Sequence, residues 1–185
     1  MTDDELKRSL REHAYLEGDF VLRSGRRSRY YLDKYRFETR PELLGELGRR
    51  IAAAAHDHAP DARLLAGPEL GAVALAAAAS LASGLPFVIV RKAAKDYGTS
   101  NRVEGAYEAG AIVCLVEDIV TSGGALLESV EALRAAGLTV RTAVCVVDRE
   151  EGGVAALARH GVGLRPLFTA SDLLSAAKDA AKPHG

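Results

Sequence analysis

The stretch VCLVEDIVTSGGALLESV, Val113 to Val130, decides the fold. It opens as an apolar, β-branched run, meets two adjacent acids at Glu117 and Asp118, passes through Thr121-Ser122-Gly123-Gly124 and continues as a helical pattern. An apolar run without polar alternation predicts a strand buried on both faces, here AIVCLVED ending on the two acids. A helix follows it at once, which is the repeating unit of a parallel sheet. The same unit recurs on either side. RLLAG, PFVIV, TVRTAVCVVD and VGLRPLF read as further strands, and PELLGELGRRIAAAA, LGAVALAAAASLAS and EGGVAALARHG as helices between them, with a last helix from about Ser171. The architecture expected is α/β, a doubly wound parallel sheet with helices on both faces.

The N-terminal part is of another kind. Thr2 with Glu5 forms a capping-box pattern opening a helix through about Tyr15, and GDFVLR and RYYLD flank the turn-like SGRRS as a β-hairpin. We expect one domain over residues 1–185, with a small N-terminal hood mainly from residues 1–35.

Composition narrows the function. With 24 basic and 25 acidic residues the formal net charge is −1, so neither nucleic acid nor an anionic membrane is an expected partner, and any anion site has to be local. The longest apolar tract, Ala72 to Val90, is broken by Ser80, Ser83, Gly84 and Pro86, and reads as helix, turn and strand instead of a membrane span. Cys114 and Cys145 each sit in an apolar run, and the chain opens on MTDDELKRSL, not on a basic segment and an apolar core. A reduced, cytoplasmic protein is expected. The five histidines have no metal-ligand spacing.

In doubly wound sheets ligands bind beyond the carboxyl ends of the strands. At the turn into a helix, Thr121 to Gly124 bring hydroxyls and backbone N–H groups to one point that favours an anion such as a phosphate, and glycine lets the backbone approach it. Carboxylates repel phosphate. Glu117 and Asp118 therefore suit vicinal hydroxyls or, through water, a divalent cation. A phosphate beside a diol describes a ribose 5-phosphate, whereas the plain alternative is a tight turn after a strand edge.

IVCLVEDIVTSGGA resembles the phosphoribosyl pyrophosphate (PRPP) signature of the type I phosphoribosyltransferases. The resemblance implies that Glu117 and Asp118 hold the ribose hydroxyls while Thr121, Ser122, Gly123, Gly124 and Ala125 cradle the 5-phosphate. The loop VRKAAKDYGTSNRVEG, Val90 to Gly105, is similar in its RKAAKDYG run to the R-K-x-x-K-x-H-G loop of the orotate phosphoribosyltransferases, with Tyr97 where that pattern shows His. Arg91, Lys92, Lys95 and Tyr97 are then PRPP-binding, with the lysines of this long, structureless lid reaching the pyrophosphate in a neighbouring subunit. AGPELGAVALA stands where these enzymes carry a pyrophosphate loop, with contacts expected from backbone N–H groups.

DREEGG, Asp148 to Gly153, resembles the family's D-R-x-E-G-G segment, in which the arginine, here Arg149, meets the orotate carboxylate. DFVLRSGRRSRYYLD is similar to the family's hood segment, with Arg23 in place of Lys and Tyr30 and Tyr31 offered to a planar base. Thr121 joins the orotate side. The resemblance covers roughly residues 18 to 153 and implies transfer of phosphoribose from PRPP to orotate, giving orotidine 5-monophosphate and pyrophosphate in pyrimidine biosynthesis. It further implies Asp118, Glu117, Lys92 and Lys95 as catalytic, Mg²⁺ held through PRPP and water with no direct protein ligand, and a homodimer sharing its lids. A phosphoribosyltransferase for another base and a non-catalytic PRPP-binding regulator are the alternatives.

Overall fold

The computed structural model of the protein describes residues 1–21, 25, 27–93 and 101–180, the side chains of 176–180 excepted. A helix α1 (Asp3–Ala14) leads into an antiparallel ribbon of β1 (Tyr15–Val21) and β2 (Arg27–Leu32), then a single helical turn α2 (Tyr35–Glu38) and the long α3 (Pro41–His58). There follow β3 (Leu64–Pro68), α4 (Gly71–Ser83), β4 (Phe87–Val90), β5 (Val103–Glu104), β6 (Ile112–Val120), α5 (Gly124–Ala135), β7 (Thr139–Asp148), α6 (Gly153–Arg159), β8 (Gly163–Thr169) and α7 (Ala170–Ala180). The main sheet has the order β5-β4-β3-β6-β7-β8, parallel except for the antiparallel edge pair β4 and β5.

Alternation along the central strands sorts the core into two layers. Leu65, Cys114, Val116, Val144 and Val146 pack with Leu6, Leu10, Leu43, Leu47, Ile51 and Leu75, from α1, α3 and α4. Their neighbours Leu64, Ala66, Val113, Leu115, Ala143 and Cys145 face the other way, onto Leu126, Val130, Leu133 and Leu157 of α5 and α6. Both faces of β6 and β7 are covered, which is why these strands carry no alternation in sequence. At the N-terminus, the Thr2 side chain accepts from Glu5 N, Glu5 returns a bond to Thr2 N, and Leu6 and Leu10 point inward.

Four boundaries differ from the sequence expectation. β6 does not end on the two acids. Its pairing with β7 continues through Ile119↔Val147 and Val120↔Asp148, so Glu117 and Asp118 lie inside a strand that runs on to Val120. The ribbon starts at Tyr15, at the expected end of the first helix and ahead of its own expected start at Gly18, with an irregularity between Glu17 and Phe20. Part of the loop expected to be structureless is a strand, since Val103 and Glu104 pair with Val90 and Ile89. Finally, α2 arises in the segment Tyr35–Glu38, too short for a periodic signal.

Candidate active site

β3, β4 and β6 end, and α4 begins, at one edge of the sheet, where a cleft of about 310 Å³ is lined by Lys34, Glu69, Arg91, Lys92, Glu117 and Asp118, among others. Asp118 is only 3 % exposed. Its Oδ1 accepts from Ile119 N at 2.6 Å and its Oδ2 from Lys34 Nζ at 2.7 Å, so the carboxylate is oriented from two sides. Burial disfavours the charge on Lys34, but the Asp118 carboxylate outweighs it and the ammonium pKa is raised. Glu117, next along the strand, accepts from Asp118 N at 3.0 Å. Burial, and then the Asp118 charge, push Glu117 up to about 8.

Glu38 of α2, 4 % exposed, comes to the same place. A β-carbon on Gly71 would lie 2.2 Å from Asp118 Oδ2, 2.9 Å from Glu38 Oε1 and 3.0 Å from Lys34 Nζ. Only glycine at the start of α4 leaves room for the three groups to meet. Burial, and next the Asp118 charge, push Glu38 up to about 8. Among the described residues its Oε1 has no hydrogen-bond partner.

Thr121, Ser122 and Gly123 form the turn from β6 into α5, with Gly123 as the residue before the helix at φ 84°, in the left-handed region. No side chain caps that end, so the first N–H groups of α5, beginning with Gly124 and Ala125, face outward from a helix N-terminus. Thr121, Ser122, Gly124 and Ala125 are exposed. This loop crosses the one after β7. A β-carbon on Gly153 would meet Thr121 O at 2.7 Å and Val120 Cγ1 at 2.5 Å, and one on Gly123 would come within 3.3 Å of Gly153 Cα.

The DREEGG segment is braced at both flanks of its arginine. Asp148 Oδ1 accepts from Glu150 N at 2.9 Å, and Glu150 Oε2 accepts from Ser171 N at 2.9 Å and Ser171 Oγ at 2.6 Å, tying the loop to α7. Arg149 N donates to Val120 O at 2.8 Å. The Arg149 side chain is buried, with Nε 3.2 Å from Glu151 Oε1 but outside hydrogen-bonding alignment. Its guanidinium carbon sits 4.8 Å from the Tyr30 ring centre. Tyr30 in turn stacks on Tyr15 at 5.1 Å, and Arg11 covers Tyr15 at 4.4 Å. Tyr31 takes the opposite face of β2, exposed and packed on Phe20 at 5.6 Å. Adjacent residues of a strand point to opposite faces, so Tyr30 and Tyr31 do not share one side.

Just past β4, Arg91 N donates to Arg102 O at 2.7 Å and Lys92 N to Glu69 Oε1 at 2.6 Å. Glu69 Oε2 is also 3.9 Å from Arg91 Nε, so this acid fastens the loop base to the start of α4. The structure thus gathers Arg91, Lys92, Glu117, Asp118 and Ala125 around one cleft, while Arg149, bonded through its N–H to Val120 O, packs on the Tyr30 ring outside the residues that line it. Arg23, Lys95 and Tyr97 lie outside the described residues. Lys34, Glu38 and Glu69 escaped sequence reasoning. Each is a single charged residue in a short connection, and nothing local marks its partner.

A family model for the phosphoribosyl transferase domain matches residues 41–159. The orotate phosphoribosyltransferase of Halobacterium salinarum is 50 % identical over 95 % of this chain and 98 % of its own. The chain belongs to the orotate phosphoribosyltransferases. The Methanocella arvoryzae member of the family is 49 % identical over 93 % of this chain and 97 % of its own. Among solved orotate phosphoribosyltransferases, that of Aeropyrum pernix superposes with a TM-score of 0.83 at 34 % identity, covering 94 % of this chain and 98 % of that one. Among the described residues no helix is long and apolar enough to cross a membrane, and no group of three or more His, Cys, Asp or Glu is arranged to hold a metal ion.

Proposed function

We propose that this orotate phosphoribosyltransferase joins the ribose carbon C1 of PRPP to a ring nitrogen of orotate, breaking the C1–O bond and releasing pyrophosphate. The observation that carries this reading is the crossing at Gly123 and Gly153, which joins two loops: one follows the buried Asp118 and opens on a bare helix N-terminus, and the other carries the buried Arg149. The helix N-terminus suits a 5-phosphate, Asp118 ribose hydroxyls, and Arg149 a carboxylated base.

In the reaction the breaking C1–O bond leaves positive charge on the ribose, comparable to that in glycoside cleavage. Asp118 and Glu117 bear on the hydroxyls next to that charge, and Lys34 keeps the Asp118 carboxylate in position. Arg149, held by Tyr30 and Glu151, orients the base. Arg91, Lys92 and Lys95 supply positive charge to the departing diphosphate, with the lid lysine reaching a neighbouring copy in a homodimer. Mg²⁺ fits this donor set only through oxygens of the substrate, since the acids of the cleft are engaged with backbone N–H groups and Lys34, and when bound it neutralises the diphosphate. The proton on the attacking ring nitrogen leaves as the C–N bond forms, and the departing diphosphate can accept it, so no strong protein base is required. With both cysteines unpaired and buried, we place the enzyme in the cytoplasm.

The test is the orotate absorbance followed with PRPP and Mg²⁺, beside parallel reactions with uracil and hypoxanthine. Orotate alone is expected to be consumed, and only when both PRPP and Mg²⁺ are present. Consumption of another base without orotate would overturn the assignment.

A further inference from the structure

Glu117 and Asp118 line the cleft and Glu38 lies next to Asp118 at Gly71, three carboxyl groups with one ammonium, that of Lys34, among them in the described residues. Lys34 is bonded to Asp118, and Glu117 accepts the Asp118 N–H. Glu38 Oε1 has no donor at all among the described residues, although it is buried and turned toward the point where Asp118 Oδ2 and Lys34 Nζ meet above Gly71. An ionised carboxylate is only an acceptor, and a second carboxylate opposite it is only another acceptor. A proton resolves the conflict, because a protonated carboxyl donates where the ionised one repels.

We propose that Glu38 holds a proton in the resting enzyme and, together with Lys34, serves as a positioning residue that presents Asp118 to the ribose as a single, oriented negative charge. The inference rests on the orotate phosphoribosyltransferase reading for its consequence in turnover, but the state of Glu38 is a property of the free protein. The groups facing Glu38 are Asp118 from β6, Lys34 and Asp33 from the segment before α2, and, behind Asp118, Glu117. Burial and the acids favour the proton, whereas Lys34 opposes it.

Two measurements test the proposal. In the ligand-free protein labelled with ¹³C at glutamate carboxyls, the signal lost in Glu38→Gln should titrate near pH 8 and not in the ordinary carboxylate range, and Lys34→Met should move its midpoint higher. A midpoint between about pH 4 and 5 overturns the inference whatever the enzyme turns over. In steady state, kcat/KM for PRPP in the wild type should fall above about pH 8, and Glu38→Gln, a neutral donor at every pH, should lose that share of the decline. Glu38→Ala should lower kcat by about 10- to 100-fold, as removal of an outer orienting group does, with Glu38→Gln restoring most of it at pH 7. A Gln variant as impaired as the Ala variant, or an unchanged alkaline limb, also overturns it. Absence of any orotate turnover in the wild type would instead sink the substrate assignment and leave the carboxyl titration to be judged by itself.

Discussion

Gly71 shows how much of this site depends on an atom that is missing. Its absent β-carbon is the space in which Asp118, Glu38 and Lys34 converge, and the convergence has a measurable thermodynamic sign. A folded-state Glu38 pKa near 8, against an ordinary 4.5, means that between those values the folded chain binds a proton that the unfolded chain has released. Stability therefore falls as pH rises through that window, and Glu117 acts in the same direction. The expected outcome is a melting temperature that declines from about pH 5 to pH 8, less steeply in Glu38→Gln. Equal slopes in scanning calorimetry would place the titrating burden on Glu117 instead. None of this was legible in DKYRFE. Asp118 and Arg149 stand out in sequence because their motifs are local, whereas Lys34 meets its partner 84 positions away, and a lone lysine after a strand reads as a solvated charge.

At the scale of elements, helix α1, the ribbon and the end of β7 are joined by the column Arg11, Tyr15, Tyr30, Arg149, in which cations close both ends of a pair of stacked rings. Sequence reading recognised Tyr30 and Arg149 but treated the first helix and hairpin as a cover, because nothing in a one-dimensional pattern sets Tyr15 over Tyr30. A stacked aromatic pair contributes about 0.5–1.5 kcal/mol beyond burial, so Tyr15→Leu should raise KM for orotate by about 2- to 12-fold. KM for PRPP should stay within about twofold, since Tyr15 touches nothing in the phosphate loop. Steady-state titration of each substrate distinguishes this from a general loss of the hood, which would raise both constants together. The strands were the most legible elements. TVRTAVCVVD was read to its last residue, because a strand covered on both faces is apolar throughout. The boundary of β6 was missed for the converse reason: Glu117 and Asp118 look like an ending, but the backbone hydrogen bonds of a ladder do not depend on side chains.

For the whole molecule, the base of the lid is fastened within its own chain by Glu69, and the proposed reach of Lys95 into a neighbouring copy makes a prediction about assemblies. Asp118→Asn and Lys95→Ala are each expected to be nearly inactive. If each active site takes its carboxylate from one chain and its lid from the other, refolding an equal mixture leaves one intact site in each mixed dimer. Random pairing makes roughly half the dimers mixed, so about a quarter of wild-type activity should return. A mixture that stays inactive, with exchange verified by mass labelling, would show that each lid serves its own chain. The crossing of the β6 and β7 loops carries a different consequence. Two backbones in contact at Gly123 and Gly153, further tied by the bond from Arg149 N to Val120 O, behave as one rigid bracket. On the proposed reading, the spacing between a sugar on one loop and a base on the other would be a ruler made of main chain, which no side-chain rotamer can lengthen, and these two stretches would be exchangeable between relatives only as a matched pair.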